Sequence, residues 1–350
     1  MIGRQLSFFE AEVAACQERL AVAGDPLAKL DAFINWAGLR PLLKPFEFDN
    51  SAKGGRPAWD ALVMVKVLLL QALYNIADGS CEYQINDRLS FKRFLGLKPA
   101  DKAPDEKTIW LYRERAKHSG LHEKIFSWFD NELIRSGYLA QKGQIVDATF
   151  VPTHKPTGKQ DKQLKEGIPL TPAQARQRDN DATFTKKGET THHGYKNHVQ
   201  TDVKHKFIRR SKTTTASTHD SQTMKDLLDP KGNTGRDVFG DSAYRSASIE
   251  ELVKANHQNS RIHRRAYRNK PLSECQKKAN VTRSRVRAKV EHIFGHMVIS
   301  MGGLMIHTIG LARAQVKITL KNIAYNMKRF TFFEAKATGW TPGQTSATAC

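Results

Sequence analysis

Cysteine is scarce: Cys16, Cys81, Cys275 and Cys350 are the only four in 350 residues, and none share a spacing suited to a zinc site or a disulfide framework. They read as reduced thiols of a cytoplasmic protein. Long hydrophobic runs are also missing. The longest, Ala61 to Tyr74, is interrupted by Lys66 and Gln71 and falls short of the ~20 residues that span a bilayer. The first residues carry acids and no continuous apolar core, so no secretory signal is expected. No Gly-rich phosphate loop occurs, which argues against nucleotide-driven action. Tryptophan is absent between Trp128 and Trp340, and no internal repeat is apparent. Acid is the scarcer charge: 35 Asp and Glu stand against 56 Lys and Arg, for a formal net charge of +21.

That excess is the electrostatic footprint of a nucleic-acid binder. Charge alone would also suit a membrane surface, but no basic amphipathic anchor helix stands out. The excess is unevenly placed. Residues 1–50 hold five Lys or Arg and seven acids, whereas Arg261 to Lys289 holds eleven Lys or Arg and a single acid, Glu274. From the end of this run onward Val286, Val290, Ile293, Phe294 and Met297 recur at helical spacing and define one apolar face. Arg287 and Glu291 sit beside that face as i, i+4 neighbours. An exposed ion pair is the commonest fate of such a couple; holding metal ions against a phosphodiester is the alternative.

Residues 1–140 read as helical. Ala61, Leu62, Val65, Leu68, Leu69 and Ala72 repeat at helical spacing, and Leu121 to Leu133 is a further amphipathic stretch. Asp105 is placed to N-cap a helix containing Thr108 to Ala116. Trp36, Trp59, Trp110 and Trp128 read as core aromatics. From Gln144 the pattern turns to strands and helices, as in a layered α/β domain, here given the bounds 141–335. Tyr195–Val203 and Phe207–Ala216 suggest a hairpin, and Ser221–Leu228 a helix. The polar, proline-punctuated stretch 152–191 reads as a long loop that orders on DNA. Residues 336–350 read as a loose tail.

Gln144 to Val151 reads as a strand carrying Asp147, and Asp237 to Tyr244 as a second strand ending at Asp241. Asp147, Asp241 and Glu291 thus fall on a strand, at a strand end and on a late helix. This order resembles the acidic triad of DDE transposases. Gly194-Tyr-Lys-Asn-His198, Gly240-Asp-Ser-Ala-Tyr244, Arg287 to Gly295 and Leu320 to Arg329 resemble segments of the insertion-sequence-five family of bacterial transposases. Ser90 to Leu97 and Asp105 to Trp110 do so upstream, and the likeness runs from about Trp59 to Arg329. The family often has a Tyr three residues before the Arg and a Lys seven after the Glu; this chain has Ser284 and Val298.

The resemblance implies a ribonuclease-H-like catalytic domain, a mixed sheet flanked by helices, behind a helical N-terminal domain that binds DNA ends. It implies Asp147, Asp241 and Glu291 as catalytic residues and ligands of two magnesium ions, for which manganese would substitute. The partners implied are double-stranded DNA, as terminal inverted repeats and as target, and further copies of the chain in a homodimer or larger assembly on the nucleoid. Arg287 is read as orienting Glu291 or gripping a phosphate. Lys196 and His198 alternate onto one strand face and are candidates for DNA contacts. So are Arg264, Arg265 and Arg268 in the basic run, and Arg113 and Arg115 on the helix capped by Asp105. His192, His193, His198 and His205 lack the spacing of a soft-metal site. Without a Trp, a flipped base would need Tyr244 or Tyr267, so a hairpin route is disfavoured. Two rivals remain at this point: a regulator that has lost catalysis, and a nuclease on the same fold that cuts without joining.

Overall fold

A computed structural model describes residues 8–47, 57–138, 142–229, 236–268 and 271–341. The chain forms two compact units, residues 1–125 with 324–350, and residues 126–323. The helices of the N-terminal part are α1 (Phe8–Val22), α2 (Pro26–Phe33), α3 (Trp36–Leu43), α4 (Ala61–Tyr74), α5 (Asp78–Asp87), α6 (Leu89–Leu95), α7 (Glu106–Ser119) and α8 (Leu121–Arg135). Asp60 caps α4 by accepting from the N–H groups of Leu62 and Val63, satisfying donors that the first turn leaves free. Met64, Val65, Val67, Leu68, Leu69 and Leu70 are all buried, so α4 is the centre of this unit rather than one of its faces. No single helix among the described residues is long and apolar enough to cross a membrane. Asp105 caps α7 through Thr108 N–H as the sequence suggests.

The tryptophans are a correction. Trp110 is 47% exposed and Trp36, Trp59 and Trp128 are only partly buried. Leu and Phe side chains such as Leu39, Leu43, Phe46, Phe91 and Phe94 fill the interior instead.

The second unit is built on β1 (Gln144–Pro152), which is followed by α9 (Gly158–Lys165), α10 (Pro172–Gln177), β2 (Thr183–Lys187), β3 (Thr190–Asp202) and β4 (Ile208–Thr215). Then come a 3₁₀ turn at Asp220–Thr223, α11 (Met224–Leu227), β5 (Asp237–Gly240), a 3₁₀ turn at Ser242–Tyr244, α12 (Ala247–Ala255), β6 (Asn259–Ile262), α13 (Glu274–Ser300) and α14 (Leu311–Thr338). β3 lies antiparallel between β1 and β4, while β5 pairs parallel with β1 and β6 parallel with β5; β2 folds back on the start of β3. An antiparallel meander continued by two parallel strands is the ribonuclease-H-like sheet. The expected hairpin is β3–β4, closed by Asp202, whose carboxylate accepts from Phe207 N–H at 2.9 Å. Gly194 has φ +141°, and a Cβ there would lie 2.3 Å from the Val151 carbonyl oxygen, so only glycine fits against β1.

Two expectations change here. The stretch 152–191 is not one long loop: it holds α9, α10 and β2. A Thr171–Gln174 capping box with Pro172 in the first turn starts α10, and the Tyr195 hydroxyl donates to Asp179 at 2.7 Å. α14 extends to Thr338, three residues into the expected tail, and Trp340 packs edge-on against Phe33 with centroids 6.1 Å apart. Residues 342–350 lie outside the described residues.

Side chains alternate between the two faces of the sheet. Val146, Val238 and Ile262 join Met224, Leu227, Tyr244, Ile249 and Val253 in a core on the α11 and α12 side. Val151 and Tyr195 face the other way and pack with Ile306, Ala314 and Ile318. The Asn197 and Asn322 amides exchange hydrogen bonds of 2.8 and 3.2 Å on that second side.

Candidate active site

The parallel register of β1 and β5 pairs Val146 with Gly240, so the next residues, Asp147 and Asp241, stand side by side on one face. β5 and β6 pair Gly240 with Ile262, which puts His263 next in the same row. α13 crosses this row. Arg287 Nε lies 3.2 Å from Asp147 Oδ2 and its Nη1 3.5 Å from Asp241 Oδ1, so one guanidinium spans both carboxylates. One turn earlier, Ser284 Oγ is 3.4 Å from His263 Nε2, and His263 Nδ1 is 4.0 Å from Asp241 Oδ1.

Each acid also serves its own backbone. Ala148 N–H donates to Asp147 Oδ1 at 2.9 Å, and Ser242 N–H to Asp241 Oδ1 at 2.6 Å. These bonds fix the carboxylates without consuming Asp147 Oδ2. Burial raises the Asp147 carboxyl above its ordinary value, Arg287 and the Ala148 N–H oppose that, and Asp241 adds to it. Burial lowers His263, and the positive Arg287 lowers it further. His263 escaped the sequence reading because β6 is four residues long. Its signal was the strand–helix–strand unit from Asp237 to Ile262, whose parallel register aligns the residues after each strand.

Glu291 follows Arg287 by one turn on α13, the helix that packs on β1 and β5, yet its side chain is exposed. Among the described residues no three His, Cys, Asp or Glu side chains stand close enough to hold a metal ion together. The donor chemistry nonetheless fits a divalent cation. Two oxygen ligands of the kind magnesium prefers lie adjacent, and the cation between them is a guanidinium at 3.2 and 3.5 Å, longer than a tight charge-assisted bond. Asp147 and Asp241 are the residues here that could hold such a cation.

Several expected contacts are corrected. Lys196 and His198 are 9% and 0% exposed because the sheet face they share is covered by the segment from Thr218 through α11. Lys196 Nζ donates to Thr218 O and Asp220 Oδ1, both at 2.8 Å, and His198 Nε2 meets Thr214 Oγ1 at 2.8 Å. Arg113 is buried, with Nη2 donating to Asp78 Oδ2 at 2.6 Å. Arg115 donates to the carbonyls of Pro45 and Glu47. Tyr244 is fully buried, which with Asp220, Asp147 and Asp241 drives its phenol well above the ordinary value, so it cannot hold a base; Tyr267 is 65% exposed. Arg264, Arg265 and Arg268 are exposed as expected.

A sheet of this topology, with two acids on neighbouring strands under a crossing helix, is that of a ribonuclease-H-like domain. The chain matches the family model described as Transposase DDE domain over residues 139–327, more than half its length, and the one described as Transposase domain (DUF772) over residues 15–115. It belongs to the DDE transposase family. Among solved structures it is similar to piggyBac transposase in a synaptic complex with hairpin DNA, with a TM-score of 0.49 and 11% identity over 92% of this chain and 77% of that one.

Proposed function

We propose that this transposase is of the insertion-sequence-five type, and that it cleaves the ends of its own element and joins them to target DNA by transesterification. The observation that carries this is the register placing Asp147 and Asp241 side by side beneath the helix that bears Arg287 and Glu291. Both steps are attacks of an oxygen nucleophile on a phosphodiester, first water and then a DNA 3′-hydroxyl, so one site serves both. Divalent ions, magnesium or manganese, would stabilise the attacking and leaving oxygens there. Asp147, Asp241 and Glu291 would hold the ions, and their carboxylates would offset the metal charge. Arg287 would exchange its carboxylate contacts for a phosphate, which its planar fork suits. Residues 1–140 would recognise the terminal repeats, and two ends held together call for a dimer or larger assembly in the bacterial cytoplasm, on the nucleoid.

The decisive experiment supplies pre-cleaved end DNA with a free 3′-hydroxyl, a plasmid and magnesium. Joined product is expected. Cutting without joining would leave a nuclease, and equal cleavage in chelator would end the metal-dependent reading.

A further inference from the structure

Four arginines gather beside the acid pair. Arg245 follows the turn behind Asp241, Arg261 belongs to β6, Arg264 lies just after it, and Arg283 stands on α13 one turn before Arg287. Arg245 Nη1 and Arg283 Nη1 donate to the same acceptor, the carbonyl of Ile262, at 3.0 and 3.1 Å. The two donor nitrogens are therefore at most about 6 Å apart, the sum of those distances. Arg264 is held in place through its backbone: Asn280 of α13 accepts from its N–H at 3.1 Å and donates to its carbonyl at 2.9 Å.

Acids compensate only part of this charge. Glu250 Oε1 is 3.2 Å from Arg245 Nη2, and Asp237 Oδ1 is 3.3 Å from Arg261 Nε. Among the described residues no ion pair reaches Arg264 or Arg283. Burial lowers the Arg283 guanidinium below its ordinary value, and Arg264, Arg245 and Arg261 add to the depression. Like charges held together in a half-buried place are unfavourable in the free protein, and an anion relieves them. The carbonyl they share belongs to the residue before His263, so the cluster borders Asp241. Four residues along a helix advance ~6 Å, while successive phosphates advance about 3.4 Å along a duplex. Arg283 and Arg287 thus reach phosphates one or two steps apart.

We propose that Arg245, Arg264 and Arg283 form a built site for a DNA backbone phosphate, one or two nucleotides from the phosphate handled by Asp147 and Asp241. The proposal rests on the transposition reading and names a second grip on the same strand.

The test scans single methylphosphonate substitutions, which neutralise one phosphate each, along end-DNA duplexes and compares the parent with Arg245→Gln/Arg283→Gln. Neutralising the gripped phosphate should cost the parent roughly tenfold in affinity or more, as for a lost charge-assisted hydrogen bond. The variant should start weaker and be indifferent at that position while responding like the parent elsewhere. A parent-like scan would overturn the proposal; if the double variant does not fold, the same scan on Arg283→Gln decides it. On any duplex the variant should also show a slope of log K against log salt that is shallower by about 0.9 for each phosphate it no longer neutralises. A parent that neither cuts nor prefers ends would defeat the transposition reading, and the salt slope would still decide this one.

Discussion

On the α11 and α12 side of the sheet, Lys196 and His198 are enclosed, and the nearest acid, Asp220, answers Lys196 at 2.8 Å. On the other side, Asp147 and Asp241 share one arginine across 3.2 and 3.5 Å, and a group of arginines next to them has two acids among four cations. Both faces carry ionisable residues from neighbouring strands. The first balances its charges internally and shuts out water, so its polar groups define the fold. The second leaves carboxylates and guanidiniums in excess of their partners, an arrangement that costs stability and makes sense when cations and phosphates arrive.

The largest expected effect breaks the open face. Asp147→Asn and Asp241→Asn should each reduce cleavage and joining to background while binding to end DNA survives. Asp147→Asn should not lower stability at neutral pH, since burial already disfavours the charged carboxyl. A cooperative unfolding curve beside a cleavage assay reads both. Substantial turnover by either variant would remove that acid from the site.

The mirror experiment breaks the closed face. Asp220→Ala leaves the Lys196 ammonium with the Thr218 carbonyl as its hydrogen-bond acceptor and no counter-charge, and should cost up to about 3 kcal/mol, the lower end for a buried pair that loses one partner. Lys196→Met/Asp220→Leu should recover most of that loss, because apolar replacement of a whole pair is often neutral. If the single variant is as stable as the parent, the two faces do not differ in the way described.

The strands that carry Asp147 and Asp241 were legible before the structure because Ile145-Val146 and Val238-Phe239 are short apolar runs, and Asp147 falls within the first strand while Asp241 follows the second. The alternation of strand and helix signals after Gln144 gave the layered α/β class, while the ribonuclease-H-like arrangement was implied by the resemblance, and α9, α10, β2 and β6 were not foreseen. Lys196 and His198 were misplaced because Gly194-Tyr-Lys-Asn-His198 reads as a polar edge, while β3 is covered on both flanks. The Lys196 partner Asp220 lies 24 residues on, the His198 partner Thr214 lies 16 on, and the Asn197 partner Asn322 lies 125 away. Arg113 failed for the same reason, its partner Asp78 being 35 residues upstream. Spacing reveals neighbours on one element; it does not reveal pairs closed by tertiary packing. The arginine cluster was half legible: the basic run contained Arg261, Arg264 and Arg283, but Arg245 joins them only through the β5–β6 register.

Acidity should separate the faces again, by a comparable amount. Burial pushes His198 down to about 4, so between roughly pH 6.5 and 4 the unfolded chain binds a proton that the folded one refuses. Stability should therefore rise with pH across that window and level off above it, by on the order of 3 kcal/mol in total. Asp147, raised instead, works in the opposite sense, losing stability as pH rises above the ordinary carboxylate value. Urea midpoints at several pH values, for the parent and His198→Gln, isolate the first contribution. An unchanged difference between the two proteins across the window would place the pH response elsewhere.

The smallest effect concerns the exposed part of the basic run. Arg264, Arg265 and Arg268 are exposed, and their loss should leave the fold untouched. Changing all three to Gln should weaken binding to every duplex alike and flatten the slope of log K against log salt by roughly two to three units, one phosphate for each arginine. It should not alter which end sequence is preferred, because phosphate contacts position a protein without reading bases. The result also sharpens the comparison within the open face. Arg265 and Arg268 should act only through the salt slope, whereas Arg264, clamped by Asn280, should in addition show dependence on one particular phosphate. A triple variant that keeps the parent slope would make Arg265 and Arg268 bystanders and remove Arg264 from the proposed phosphate site.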